Sequence, residues 1–207
     1  ANGGSSLTIS GTQSEINTTL ASISYKGDLN YNGFDLLSIL STDSSGSPLT
    51  DTDTVAIVVD PVNDEPALGG SSQSATYTED QAPVVIDNII TVSDIDLPTN
   101  FNSGYLQIDI TINGAVEDQL SVQNEGTGVG QISVVGTNIL YNSSISPVII
   151  GSIDATLNGV NGQSLQIHFN ANASPAAVQA LARNIIYSDV SQDPSVAVRT
   201  VTFTLND

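Results

Sequence analysis

The stretch VAIVVDPVNDEPAL, residues 55–68, decides how the chain is divided. Val55 to Val59 is an apolar, β-branched run that reads as a strand. It stops at Asp60, and the interval Asp60–Pro66 then holds two prolines, an asparagine and three carboxylates. Proline has no amide hydrogen to give to a sheet ladder and fixes its own φ, so this interval cannot continue the strand. It reads instead as a stiff, acidic connector. The sequence on both sides is rich in strand signals, which places one module at 1–66, connector included, and a second at 67–207.

Outward from the connector, short runs alternate apolar and polar residues, the mark of sheets with one buried face. In the first third these are SLTIS (6–10), DLLSIL (35–40) and TVAIVV (54–59). Further on come ATYT (75–78), YLQIDITI (105–112), QLSVQ (119–123), QISVV (131–135), PVIIGSI (147–153), SLQIHF (164–169) and RTVTFTL (199–205). Clusters of Asn, Gly, Ser and Asp separate them. The expected fold class is all-β, as sandwich modules, each carrying one short helix. TQSEINTTLASI begins with Thr12 and has Glu15 three residues on, a capping-box spacing, with Ile16, Leu20 and Ile23 on one helical face. SPAAVQALARNI begins with Ser174 as N-cap and Pro175 at the first helical position, with Val178, Leu181, Ala182 and Ile185 sharing a face. Both are expected as helices packed on a sheet.

The two helices belong to an internal repeat. SLTIS, the helix from Thr12 and a strand ending at Tyr25 follow the same order as SLQIH, the helix from Ser174 and a strand ending at Tyr187. Ile16 matches Val178, Ile23 matches Ile185 and Tyr25 matches Tyr187. Each Tyr is followed by an acidic loop, a further strand and an aspartate, Asp43 or Asp207. The first copy has no counterpart of the long stretch preceding SLQIH. The second has no counterpart of TVAIVV, so its module is expected to lack a last strand. With no initiating Met and no signal-like segment, the chain reads as a piece of a longer array.

Composition narrows the function. Lys26, Arg183 and Arg199 are the only basic residues against 22 acids, a net charge of -19. That charge repels phosphate backbones and anionic lipid surfaces, which argues against nucleic acid and membranes as partners. No apolar stretch is long enough for insertion as a helix. Most of the acids are Asp, a turn former and a hard-cation ligand. Cysteine is absent, so neither disulfides nor a thiolate zinc site contributes.

The order of motifs resembles the cadherin-like repeats, of the chondroitin-sulfate-proteoglycan type, found in large bacterial surface proteins and adhesins. LTDTDTVAIVVDPVNDEP (49–66) is similar to the way such repeats end, and YTED (77–80) with VSDIDLP (92–98) resembles the start of the next. The resemblance implies tandem cadherin-like (Ig-like) sandwiches with Ca2+ at their junctions. It assigns to the junction Asp28 and Asn30 of the first module and Asn63, Asp64 and Glu65 of the connector. From the second module it takes Asp94, Asp96, Asn102 and Asp207. Asp43, Glu79 and Asp189 would serve other junctions. The pattern departs from the family at Pro61, where an Asp is expected, and at Asn30, which lacks a charge.

The residues argue the same way on their own. Calcium takes six to eight oxygens, and two acids at i and i+2 of a turn, such as Asp94 and Asp96, can face one ion. A single Asp in a turn needs no ion to explain it. Carboxylates gathered from several loops repel one another unless a cation neutralises them. The expected function is a calcium-binding structural or adhesive repeat, outside the cell on a bacterial surface. Its partners would be neighbouring repeats of the same chain, a like copy, or a glycan or protein on another cell. The alternative is a carbohydrate- or protein-binding accessory module of a secreted enzyme. No catalytic group is expected. EGTGVGQ (125–131) lies between strands with no helix following, so it reads as a hairpin turn and not a phosphate loop. His168 alternates with Ile167 and Phe169 and is expected on a solvent face.

Overall fold

In the computed structural model, which describes residues 6–70, 73–96 and 99–207, the chain divides into two units, Ala1–Val62 and Asn63–Asp207. In both, every strand pairing is antiparallel.

The first unit contains helix α1 (Gln13–Leu20) and a hairpin of β1 (Gly33–Thr42) and β2 (Thr50–Val59). The hairpin pairs without a register shift, from Gly33 opposite Val59 to Thr42 opposite Thr50. Its loop is closed by Asp43, whose Oδ1 accepts from the amides of Leu49 (3.1 Å) and Ser45 (3.2 Å) and from the Ser45 hydroxyl (2.9 Å). Helix α1 has the full capping box: Glu15 N donates to Thr12 Oγ1, and Thr12 N donates to Glu15 Oε2 at 2.8 Å. No described residue of this unit is buried. SLTIS at 6–10, expected as a strand, forms none.

The second unit carries β3 (Ala67–Gly69), β4 (Val84–Val85), β5 (Thr91–Ser93), β6 (Tyr105–Ile112), β7 (Asp118–Val122), β8 (Ile132–Val135), β9 (Asn138–Tyr141), β10 (Val148–Asn158), β11 (Leu165–Phe169), helix α2 (Pro175–Ala182), β12 (Ile185–Asp189) and β13 (Thr200–Asn206). A six-stranded sheet runs β13-β6-β11-β10-β9-β8, a three-stranded sheet runs β4-β12-β7, and β3 pairs with β5. The strand periodicity does what the sequence implies. Leu106 and Ile108 of β6, Leu165 and Ile167 of β11, and Leu120 of β7 all turn inward and are buried. Helix α2 adds Ala177, Val178, Leu181 and Ala182 to the same core. At about 25 cal/mol per Å2 of apolar area removed from water, this shared core is the main source of the unit's stability.

Several sequence expectations change here. ATYT (75–78) forms no strand. EGTGVGQ is not a hairpin turn: β7 lies in the three-stranded sheet and β8 in the six-stranded one, so the loop crosses between sheets. Strand β9 was missed, although Gly136 at φ 63° starts the two-residue turn that joins it to β8. His168 does face solvent, where its ring nitrogen meets Asp154 at 3.1 Å.

Candidate metal centre

Three chain segments converge at one end of the second unit, and each is placed by an element of the fold. Ala67 of β3 pairs with Ser93 of β5, which sets the residues preceding β3 beside those following β5. Strand β5 is itself held to helix α2, because Gln179 Oε1 accepts from the Val92 amide at 3.2 Å. Asn206 of β13 pairs with Tyr105 of β6, which brings Asp207 next to the loop leading into β6. That loop is anchored by Phe101, fully buried against Phe169 with ring centroids 6.0 Å apart, and by the hydrogen bond its amide donates to the Ala173 carbonyl at 2.9 Å. Gly104 makes the approach of β13 feasible. A Cβ there would lie 2.1 Å from the Asn206 carbonyl oxygen and 2.7 Å from Asp207 Cα.

The outcome is a small concavity lined by Asn63, Asp94, Asp96, Asn100, Asn102, Ala171 and Asp207. One carboxylate oxygen each from Asp94, Asp96 and Asp207 lies within 4.8 Å of the others, all three residues being half-buried. Two donors bound to one calcium at 2.3–2.6 Å are at most roughly 5 Å apart, so one coordination shell can take all three. Asp94 Oδ1 accepts from the Asp96 amide at 3.0 Å, the turn bond that points both side chains the same way. Asp96 Oδ2 accepts from the Asp64 amide at 2.6 Å, and Asn63 Nδ2 donates to Asp207 Oδ2 at 2.8 Å. Among the described residues no Lys, Arg or His lines the concavity. Every side-chain donor in it is an oxygen or can present one, since an asparagine amide turned over offers its carbonyl. This set suits calcium, which accepts flexible all-protein oxygen cages, better than magnesium, which keeps several waters, and offers no nitrogen or sulfur for zinc.

The nine expected junction residues fall into distinct places. Asp94, Asp96, Asp207, Asn63 and Asn102 line the concavity together. Asp64 meets the site through its backbone amide, and its carboxylate is not among the three grouped acids. Glu65 is exposed and outside the lining. Asp28 and Asn30 belong to the first unit, in a turn where Asp28 O accepts from the Tyr31 amide at 3.1 Å and Asn30 has φ 60°. Leu97 and Pro98, which complete the SDIDLP motif, lie outside the described residues. Asn100 was missed; its Oδ1 accepts from the Asn102 amide at 3.2 Å, the same i, i+2 turn that marks Asp94 and Asp96.

Of the residues assigned to other junctions, Asp43 closes the β1–β2 loop, and the Leu49 and Ser45 donors hold its carboxyl below the usual range. Glu79 is an exposed turn residue. Asp189 is engaged in a buried ion network. Arg199 donates through Nη2 to Asp189 Oδ2 at 3.0 Å and through Nε to Asp118 Oδ1 at 2.6 Å. Tyr187 donates to the same Asp118 oxygen at 2.5 Å, and the Arg199 guanidinium lies 5.8 Å from its ring centroid. Burial first, and the bond to the Asp118 carboxylate second, push the Tyr187 hydroxyl well above its ordinary range. The network joins β7, β12 and the start of β13 across the unit, a role that spacing in the sequence did not reveal. A scan against protein-family models, a search of the curated proteins and a search of the solved structures each find no match to this chain.

Proposed function

We propose that this chain is a calcium-binding structural segment of a bacterial surface protein, built from cadherin-like sandwich modules in tandem and working outside the cell. The observation that carries the reading is the convergence of Asp94, Asp96 and Asp207 from two distant parts of the sequence, with Asn63 bonded to one of them. Three carboxylates facing one concavity without a cationic side chain are repulsive alone and favourable around a divalent cation. Asn63 and Asp64, the first residues of the second unit, bond directly to Asp207 and Asp96. A cation held there would fix the direction in which the chain enters that unit. The strong acid excess and the lack of cysteine support an extracellular bacterial setting. The role is mechanical, with no chemistry performed.

Calorimetric titration tests this. Calcium should bind the full chain, and magnesium should bind less well. A ligand that binds only the folded state adds about 2.7 kcal/mol at a hundredfold excess over its dissociation constant, so melting of the second unit should rise accordingly. Asp94→Asn or Asp207→Asn should weaken the affinity. An identical melting temperature in excess calcium and in chelator overturns the proposal.

A further inference from the structure

Strand β8 is an outer strand of the six-stranded sheet, with β9 as its only ladder partner among the described residues. Alternate residues of an edge strand turn their amides and carbonyls away from the sheet, and a row of such groups left free is a template for another chain. In β8 the outward residues are Ile132 and Val134, and their groups are occupied. Glu125 Oε2 accepts from the Ile132 amide at 2.9 Å, and the Glu125 amide donates to the Ile132 carbonyl at 2.9 Å. The Gly126 amide adds a longer bond to that carbonyl at 3.3 Å, and Asn124 Oδ1 accepts from the Val134 amide at 3.4 Å. Three consecutive loop residues thus cover the edge without forming a strand. The loop is fastened in turn to the end of helix α2. The Asn184 carbonyl accepts from the Gln123 amide at 2.8 Å, and Asn184 Nδ2 donates to Glu125 Oε2 at 3.0 Å.

We propose that Asn124–Gly126 is a strap that closes this edge, with Glu125 as its fastener, and that the pairing it prevents is β8 against β8 of a second copy of this chain. Charge names that occupant. At a net charge of -19 two copies repel wherever their acids face each other. Around β8 they do not: no charged residue lies between Glu125 and Asp154. Ile132–Val135 is mostly β-branched, carries no proline and no charge, and so has the composition of a strand that pairs with itself once uncovered. A two-fold antiparallel arrangement sets Ile132 opposite Val134 of the other copy and Ser133 opposite Ser133. Each outward amide and carbonyl then finds a partner, and no carboxylate meets another. Glu125 is the residue that stands in the way twice over: it fills the Ile132 groups, and its charge would be brought close to its own copy across the two-fold axis. None of this depends on the cation site.

Hydrogen exchange and sedimentation of the full chain test the assignment. Glu125 is exposed, so its replacement leaves the core in place. In Glu125→Ala at low concentration the Ile132 amide should exchange at least roughly tenfold faster, the loss expected for a bond to a charged acceptor. Core amides of β6 and β11 should keep their protection. As concentration rises this variant should associate, and protection should return at Ile132 and Val134 together. Glu125→Gln keeps an acceptor oxygen and should stay close to the parent in both measurements. The proposal is overturned if Glu125→Ala exchanges Ile132 at the parent's rate, if it associates no more than the parent, or if Glu125→Gln opens the edge as far. It is also overturned if the parent gains protection at Ile132 and Val134 with concentration, since the edge would then be open already. Loss of β6 and β11 protection in Glu125→Ala overturns it too, because Glu125 would then hold the core and not the edge.

Discussion

Helices α1 and α2 begin from the same kind of sequence and end in different physical states. Helix α1 has the better cap, with both bonds of the box, yet none of its residues is fully buried. Helix α2 has the simpler cap, from Ser174 to the Ala177 amide, and buries four side chains. The same contrast runs through the flanking residues. Tyr25 is an exposed residue whose hydroxyl donates to Asp35 at 2.9 Å. Its counterpart Tyr187 sits inside a network of two carboxylates and a guanidinium. Local sequence determines helix, cap and hairpin; burial depends on what the rest of the unit brings against them. The second unit has β6 to β11 for this purpose, and the described residues of the first hold only α1, β1 and β2.

The largest break in that contrast should come at Arg199. Its partners Asp118 and Asp189 have side chains almost wholly buried, so Arg199→Ala leaves two carboxylates without their cation. Removing one partner of a buried pair costs about 3–5 kcal/mol, and here two acids lose the same partner. Chemical denaturation, followed on amide signals of the second unit, should show that unit destabilised by at least this amount. Arg199→Lys should fall between the two, keeping charge but losing the fork that reaches both acids. In the first unit, Tyr25→Phe removes an exposed bond and should leave the second unit's transition where it was. Equal effects from the two would erase the distinction between the copies.

The next test compares matched core positions. Val178 is fully buried and Ile16, its sequence counterpart, is half-buried. Val178→Ala should cost about 2 kcal/mol in the second unit, from lost transfer energy plus the cavity left behind. Ile16→Ala should cost less than about 1 kcal/mol, because half-exposed side chains have less to lose. Comparable losses would mean that the first unit has a core of its own, with Ile16 inside it.

These differences explain what could be read from the sequence. The alternating runs at β1, β6, β7, β11 and β13 were legible because burial there follows the period of two, while β2 and β10 were legible as apolar, β-branched runs without that alternation of burial. SLTIS at 6–10 has the same alternation as β11 but forms no strand, and periodicity alone cannot say whether a sheet will take a segment up. The short strands β3, β4 and β5 are two or three residues long, too short to show a period. At the candidate metal centre, Asp94 and Asp96 were legible from an i, i+2 turn, whereas Asp207 entered only through the resemblance to cadherin-like repeats. The pairing of half-buried Arg199 with buried Asp118 and Asp189 was not legible, since it assembles from β12, β7 and the lead into β13 through pairings that no spacing reveals.

The smallest expected effect isolates the caps themselves. Ser174→Ala removes the oxygen that accepts from the Ala177 amide at 3.3 Å, on a helix whose inner face belongs to the core. Losing an N-cap of this type costs typically about 1 kcal/mol. Because α2 unfolds together with the core it packs on, that loss should appear as a shift of the second unit's whole transition. Thr12→Ala removes both Thr12 side-chain bonds with Glu15. On cap chemistry alone it is the more damaging change. Yet α1 is not coupled to a buried core, so the loss should stay local: lower helix content and faster exchange at residues 13–20, with no shift in the cooperative transition. The Glu15 carboxyl, held below its usual range mainly by the Thr12 hydroxyl, should return toward it. Paired measurements of circular dichroism and denaturation midpoint decide the matter. If Thr12→Ala moves the midpoint as far as Ser174→Ala does, then α1 is part of a cooperative core, and the contrast between the two helices is one of degree.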